Sequence, residues 1–232
     1  VNIGVVIAAA GQSKRLGHNK VLMDLGGKIV LLYSLEQFMK IPSLRQVVIV
    51  VRAQDEIEIK DMLKTQGYNT PNIQIVVGGK ERQDSVYAGL KALTLCDIVA
   101  IHDGARPFIS YELIDKLIEE AIQYGAVIPA SPVKETIKVV REGYVESTLP
   151  RKFLWSVQTP QVFRYELIVD AYEKAHNDNF YGTDDASLVE RLGYKVKVIP
   201  GEYTNIKITT REDLEIAQRY LKLLNYENWY RI

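Results

Sequence analysis

The run Val5-Val6-Ile7-Ala8-Ala9-Ala10-Gly11-Gln12-Ser13-Lys14-Arg15-Leu16, followed closely by Lys20, holds the residues best suited to chemistry. An apolar strand breaks here into a small-residue turn studded with cations. Such a turn offers backbone N–H groups, and Arg15 and Lys20 add positive charge beside them, a combination that suits the phosphates of a nucleoside triphosphate. An ordinary βα turn with solvated basic residues has the same appearance. Two familiar phosphate loops are excluded by spacing. His18 follows Gly17 where a P-loop requires lysine, and Ser13 and Leu16 stand where a dinucleotide fingerprint requires glycine.

Three further places carry candidate groups. Asp103 lies in Ile101-His102-Asp103-Gly104-Ala105-Arg106-Pro107, just past an apolar run. A carboxylate at a strand end beside a triphosphate turn is a natural Mg²⁺ ligand, since magnesium takes one or two carboxylates plus phosphate oxygens and water. A turn aspartate capping the next helix reads the same way. Arg106 is placed to grip a second anion. Gly78-Gly79-Lys80-Glu81-Arg82-Gln83-Asp84-Ser85 is a backbone-rich turn entering a helix, able to read a base or ribose, or simply to cap the helix. Asn205-Ile206-Lys207-Ile208-Thr209 places Lys207 on a late strand, where a lone lysine often only charges an edge.

The elements that must position these groups alternate. Strands are expected over residues 3–9, 46–51, 73–77, 98–102, 126–129, 157–163 and 194–199. Helices are expected over 29–40, 54–66 (closed by Gly67), 82–93, 164–177, 186–191 and 211–224, and from a Ser110 cap to about 124. This rhythm predicts an α/β domain, a Rossmann-like, mostly parallel sheet flanked by helices, with ligands at the carboxyl ends of its strands. Residues 132–158 break the rhythm. Period-two alternation over 134–140, a turn at Arg141-Glu142-Gly143-Tyr144 and a return over 145–149 predict a protruding β-hairpin arm. A hairpin is marginal alone, so the arm is expected to lie against a second subunit, as in a homodimer, the other reading being a solvated surface hairpin. The chain is thus read as one domain, 1–232, with 132–158 as a dimerisation arm.

Composition bounds the function. The 29 basic and 29 acidic side chains cancel, so bulk electrostatic binding to nucleic acid or a membrane is not indicated and any anion site is local. The single Cys96 excludes an internal disulfide and a multi-cysteine metal site, fits a reducing compartment, and reads as buried filler. No apolar run reaches the ~18 residues of a membrane span and no secretory leader opens the chain, so a cytoplasmic protein is expected.

Together these blocks resemble the 2-C-methyl-D-erythritol 4-phosphate cytidylyltransferases of the non-mevalonate isoprenoid pathway. The resemblance also runs through Pro132-Val133-Lys134-Glu135-Thr136-Ile137-Lys138, Trp155-Ser156-Val157-Gln158-Thr159-Pro160-Gln161 and Thr183-Asp184-Asp185-Ala186-Ser187, in family order from residue 3 to about 221. It implies transfer of a cytidylyl group from CTP to a polyol phosphate with release of pyrophosphate. It implies that Ala9, Ala10, Gly11 and Ser13 cradle the phosphates, and that Arg15, Lys20 and Lys207 are catalytic. Gly79, Lys80, Ser85 and Gly104 would bind the nucleotide, Asp103 would hold Mg²⁺, and Arg106, Thr136, Arg151, Thr159, Thr183 and Thr209 would bind the sugar phosphate. Thr136 and Arg151 would come from the partner's arm, and His102 would be structural. The family commonly has Gly at Ser13 and Pro at Asn19, departures that bear on the shape of the loop. Ribitol 5-phosphate cytidylyltransferases are the nearest alternative, which the Asp103 and Lys134–Thr136 blocks disfavour. A catalytically silent nucleotide-binding module is the other, which retention of Arg15, Lys20, Asp103 and Lys207 disfavours.

Overall fold

The computed structural model describes residues 1–11 and 19–229, and side chains as far as residue 224. In chain order the elements are β1 (Ile3–Ala8), α1 (Val30–Phe38), β2 (Leu44–Val51), α2 (Glu56–Thr65), β3 (Ile73–Val77), α3 (Arg82–Ala92), β4 (Ile98–Asp103), α4 (Tyr111–Tyr124) and β5 (Ala126–Pro132). The hairpin β6 (Lys138–Arg141) and β7 (Tyr144–Thr148) follows. The chain then forms β8 (Trp155–Val157), β9 (Gln161–Arg164), α5 (Tyr165–Asn177), α6 (Asp185–Arg191), β10 (Lys197–Pro200) and α7 (Arg211–Trp229).

The main sheet runs β10-β5-β9-β4-β1-β2-β3, with β8 paired to β5. Strands β1, β2, β3 and β4 are parallel, as are β5 and β10, while β9 enters antiparallel between β4 and β5. Burial on both faces explains why β1 reads as a continuous apolar run. Its alternate residues face opposite layers. Val5 and Ile7 join the layer of α1 and α4, with Leu31, Leu35, Phe38 and Ile114. Val6 joins the layer of α3 and α5, with Val86, Leu90 and Tyr172. At Gly89 of α3 a methyl group would come within 2.6 Å of Val6 Cγ1 and 2.8 Å of Val50 Cγ2, so glycine lets this helix lie close on the sheet. Ser110 caps α4 through its hydroxyl, and Gly125 ends that helix at φ 83°.

Several expectations need correction. The apolar run 157–163 is two strands, not one: Pro160 has no N–H for a ladder, and β8 before it pairs with β5 alone while β9 after it lies between β4 and β5. The segment holding Lys207 is not a strand: Ile208 N donates to the Ala105 carbonyl and Asn205 N to Glu202, so its bonds go to loops. Cys96 is half-buried rather than fully buried, and burial, aided by the Asp97 charge, pushes its thiol up to about 11. The expected hairpin does form, as its own two-stranded sheet with Val140, Tyr144 and Val145 exposed. No helix among the described residues is long and apolar enough to cross a membrane.

Candidate nucleotide site

The chain runs β1–β2–β3 along one side of β1 and then crosses to place β4 on the other. That reversal opens a crevice at the carboxyl ends of β1 and β4, where ligands of doubly wound sheets bind. A cavity of about 410 Å³ occupies it. Ala8 to Gly11 line it from the end of β1, Gly79 to Arg82 and Ser85 from the entry to α3, and Asp103 and Ala105 from the end of β4. Lys20, in the 3₁₀ turn Lys20–Leu22, and Lys207 close its cationic side.

Asp103 is the electrostatic centre. Lys207 Nζ lies 2.8 Å from Oδ2, Arg82 Nε donates to Oδ1 at 3.1 Å, and Arg106 Nε stands 3.9 Å from Oδ2. Burial alone would raise the pKa of this carboxyl. The charges of Arg82, Lys207 and Arg106 outweigh burial and hold it far below the usual carboxylate range, so Asp103 stays ionised. Arg82 in turn donates both terminal nitrogens to Asp185, each at 2.8 Å, and Tyr172 Oη donates to the same buried carboxylate at 2.5 Å. A capping box between Glu81 and Asp84 starts α3 and orients Arg82 at its first position. The fork geometry of arginine is what allows one side chain to tie Asp103 to Asp185.

Behind Asp103 lies a directional chain of hydrogen bonds. The Asp103 N–H donates to Thr159 Oγ1 at 3.0 Å, and Thr159 Oγ1 lies 3.2 Å from His102 Nδ1. His102 Nε2 is 3.1 Å from the Arg106 carbonyl, which can only accept, so Nε2 carries the proton and Nδ1 accepts from Thr159. His102 is wholly buried, edge-on to Phe38. Burial pushes it down to about 4, with Arg106 and Lys207 adding to the effect against the pull of Asp103. A neutral histidine with both nitrogens committed is a structural one.

The structure brings Lys20, Gly79, Lys80, Ser85, Asp103 and Lys207 to one cavity, together with Ala9, Ala10 and Gly11. Ser13 and Arg15 lie outside the described residues. Other expected residues sit elsewhere. Ala9 N donates to the Val50 carbonyl at 2.8 Å, extending the sheet ladder, so any phosphate cradle begins after it. Gly104 N donates to the Ala8 carbonyl, and this buried glycine packs on β1 while Ala105 lines the cavity. Arg106 stands behind Asp103 without lining the cavity, and its Nη1 donates to the Asn205 carbonyl at 2.7 Å. Thr159 is buried with its hydroxyl committed as above, and Thr209 gives its N–H and hydroxyl to Asp213 at the start of α7. Neither faces the cavity. Thr183 is exposed before Asp184, the cap of α6. Thr136 and Arg151 are exposed at the arm, where Arg151 donates to the Lys134 carbonyl at 2.6 Å. Ser85 reaches the cavity while donating to the Glu81 carbonyl.

Sequence reasoning assigned no role to Arg82, Asp185 or Tyr172. The one signal available was Asp184-Asp185 ahead of an apolar helix: one aspartate caps, and the second is placed where it faces the core. No group of three or more potential metal ligands occurs among the described residues. Asp103 alone fits a magnesium ion held chiefly by phosphate oxygens and water, not a resident ion caged by protein.

A parallel sheet opening at its switch point onto a cleft with a glycine-bearing turn, one ionised carboxylate and several cations defines a nucleotide-handling α/β enzyme. The chain belongs to the family of 2-C-methyl-D-erythritol 4-phosphate cytidylyltransferases (IspD), whose model matches residues 3–223. It is 46% identical over 217 residues to the 2-C-methyl-D-erythritol 4-phosphate cytidylyltransferase of Bacillus pumilus, covering 92% of this chain and 94% of that one. With the protein of the same name from Halalkalibacterium halodurans it shares 49% over 219 residues, covering 94% and 96%. Its fold matches the crystal structure of 4-diphosphocytidyl-2C-methyl-D-erythritol synthase from Anaerococcus prevotii with a TM-score of 0.84 at 39% identity, covering 95% of this chain and 96% of that one.

Proposed function

We propose that this chain is a CTP-dependent nucleotidyltransferase that converts CTP and 2-C-methyl-D-erythritol 4-phosphate into 4-diphosphocytidyl-2-C-methyl-D-erythritol and pyrophosphate, a step of isoprenoid precursor biosynthesis. The observation that carries the reading is the cationic cleft at the switch point, lined by Lys20 and holding Lys207 and Arg82 against the ionised Asp103. A phosphate oxygen of the sugar phosphate attacks the α-phosphorus of CTP, a new P–O bond forms, and the bond to the bridging oxygen of the β-phosphate breaks. The nucleophile arrives ionised, so no general base is needed. The buried, neutral His102 accords with that. Catalysis is positioning plus neutralisation of charge. Lys20, with Arg15, stabilises the charge growing on departing pyrophosphate. Lys207, released from Asp103, meets the α-phosphate. Ala10, Gly11 and Ser13 cradle the phosphates, while Gly79, Lys80 and Ser85 frame the cytosine.

Asp103 would hold Mg²⁺, which when bound adds positive charge on the triphosphate. Thr136 and Arg151 are read as sugar-phosphate ligands delivered across a two-fold dimer by the arm, and Thr183 as one from the subunit's own rim. Arg106, Thr159 and Thr209 support the site from behind: Thr159 holds the Asp103 backbone, Arg106 the Lys207 segment, and Thr209 the start of α7. A reducing, cytoplasmic setting suits the lone Cys96. Pyrophosphate release with CTP is measured against 2-C-methyl-D-erythritol 4-phosphate and ribitol 5-phosphate. A higher kcat/KM for the first is expected. Preference for ribitol 5-phosphate overturns the substrate, and no release with either overturns the enzyme.

A further inference from the structure

Lys20 lines the cleft, and the residue before it is tied to the sheet by side-chain hydrogen bonds. The preceding residue, Asn19, is 8% exposed and Asp55 5%. Asn19 Nδ2 donates to Asp55 Oδ2 at 2.6 Å. A carboxylate can only accept, so the amide orientation is fixed, and Asn19 Oδ1 faces the Val21 N–H at 3.4 Å, capping the 3₁₀ turn that begins at Lys20. Arg52 completes the group with Nε on Asp55 Oδ2 at 2.5 Å and Nη2 on Oδ1 at 3.0 Å. Arg52 directly follows β2, whose last five residues are fully buried. The bridge therefore runs from the rigid core of the sheet to the residue next to Lys20. The backbone of Asn19 has φ −68°, within the narrow range that a proline ring imposes.

We propose that Asn19, Asp55 and Arg52 are positioning residues for the known reaction: their bridge fixes the backbone at residue 19 by side-chain hydrogen bonds, as a ring would fix it covalently, and so holds Lys20 at the cleft. The proposal rests on the role of Lys20 at the departing pyrophosphate. Asp55 and Arg52 touch no substrate in this reading and act only through Lys20.

The test measures kcat by pyrophosphate release, the CTP dissociation constant and the thermal midpoint for Asn19→Ala, Lys20→Ala and the double variant. Misplacing Lys20 while leaving its flexible stem intact should lower kcat about tenfold in Asn19→Ala. The CTP dissociation constant should stay within about twofold, because the loss falls on the transition state. In the Lys20→Ala background, Asn19→Ala should cost nothing further, since there is no ammonium left to place. Asn19→Pro should recover most of what Asn19→Ala loses. Wild-type kcat in Asn19→Ala beside an impaired Lys20→Ala overturns the bridge alone. A full additional loss in the double variant overturns it as well, because the bridge then acts through something other than Lys20. Wild-type kcat in Lys20→Ala overturns the role of Lys20 and the proposal with it. Should Asn19→Ala not fold, Asp55→Ala decides the matter: it should lower kcat in the wild-type background and be silent when combined with Asn19→Pro, and equal losses in both backgrounds overturn the proposal.

Discussion

His102 gives the sharpest quantitative expectation. Its folded pKa of about 4 lies below the 6.5 of an unperturbed imidazole. Between those values the unfolded chain binds a proton that the folded chain refuses, so stability rises with pH across this window. The contribution is fully present above pH 6.5 and is lost as pH falls towards 4, below which both states are protonated. At 1.36 kcal/mol per pH unit the gap amounts to at most about 3 kcal/mol. The structural reason is specific. A proton on Nδ1 would remove the acceptor of the Thr159 hydroxyl, which already accepts the Asp103 N–H, and would place a charge in an apolar pocket against Phe38. Among the described residues Asp103 is the anion that acts on it, and Asp103 is already matched by Lys207, Arg82 and Arg106. Urea unfolding from pH 7.5 to 4.5 of the wild type and of His102→Gln checks this. The glutamine should cost about 1–2 kcal/mol at pH 7.5, by losing the Nδ1 partnership. The difference between the two proteins should then shrink, and reverse, as pH falls. Parallel stability curves would refute the assignment of a neutral, doubly hydrogen-bonded His102.

Other consequences are as direct. Arg82→Ala strips the buried Asp185 of its cation, and because a third of the Arg82 side chain is exposed the loss should sit near the lower end of about 3–5 kcal/mol. Calorimetry should show this as a fall in Tm of roughly 6–12 °C, partly recovered by adding Asp185→Asn. Gly89→Ala gains about 1 kcal/mol of helix propensity but overpacks Val6 and Val50 by about 1–3 kcal/mol, so chemical denaturation should report a net loss. Inactive Arg151→Ala and inactive Lys20→Ala chains, once tagged chains show that subunits exchange, should regain activity on mixing, since a two-fold dimer would then hold one intact site. Exchange without recovered activity would place Arg151 within its own subunit's site or outside it.

Much of the sheet was legible because parallel, doubly buried strands such as β1 and β2 are unbroken β-branched runs, and because Ser110 and Gly67 punctuate the helices. The passage from β8 to β9 was not legible. An apolar run cannot announce that its first half pairs with β5 alone and its second half with both β4 and β5, although Pro160 marks the break. Lys207 looked like a strand residue because Ile206 and Ile208 flank it, yet its neighbours bond to loops. At the site, Asp103 and the cleft cations were found by residue type and by their place after strands. Arg82 and Asp185 were missed because their bond joins residues 103 apart in the chain. The Thr159 hydroxyl is another such case: whether a threonine faces a ligand or a buried amide is decided by tertiary packing.

Both roots of the hairpin are pinned to a single strand. β5 leads out at Pro132, and β8 returns along it with Trp155 opposite that proline. Immediately beyond β8, Gln158 N is bonded to the Pro129 carbonyl, and the next residue, Thr159, holds the Asp103 N–H. The strand by which the hairpin rejoins the sheet is therefore two residues from Thr159, the residue that holds the backbone of the cleft aspartate. A shift of β8 along β5 would thus be felt at the backbone of Asp103 through a single hydrogen bond, that of the Thr159 hydroxyl.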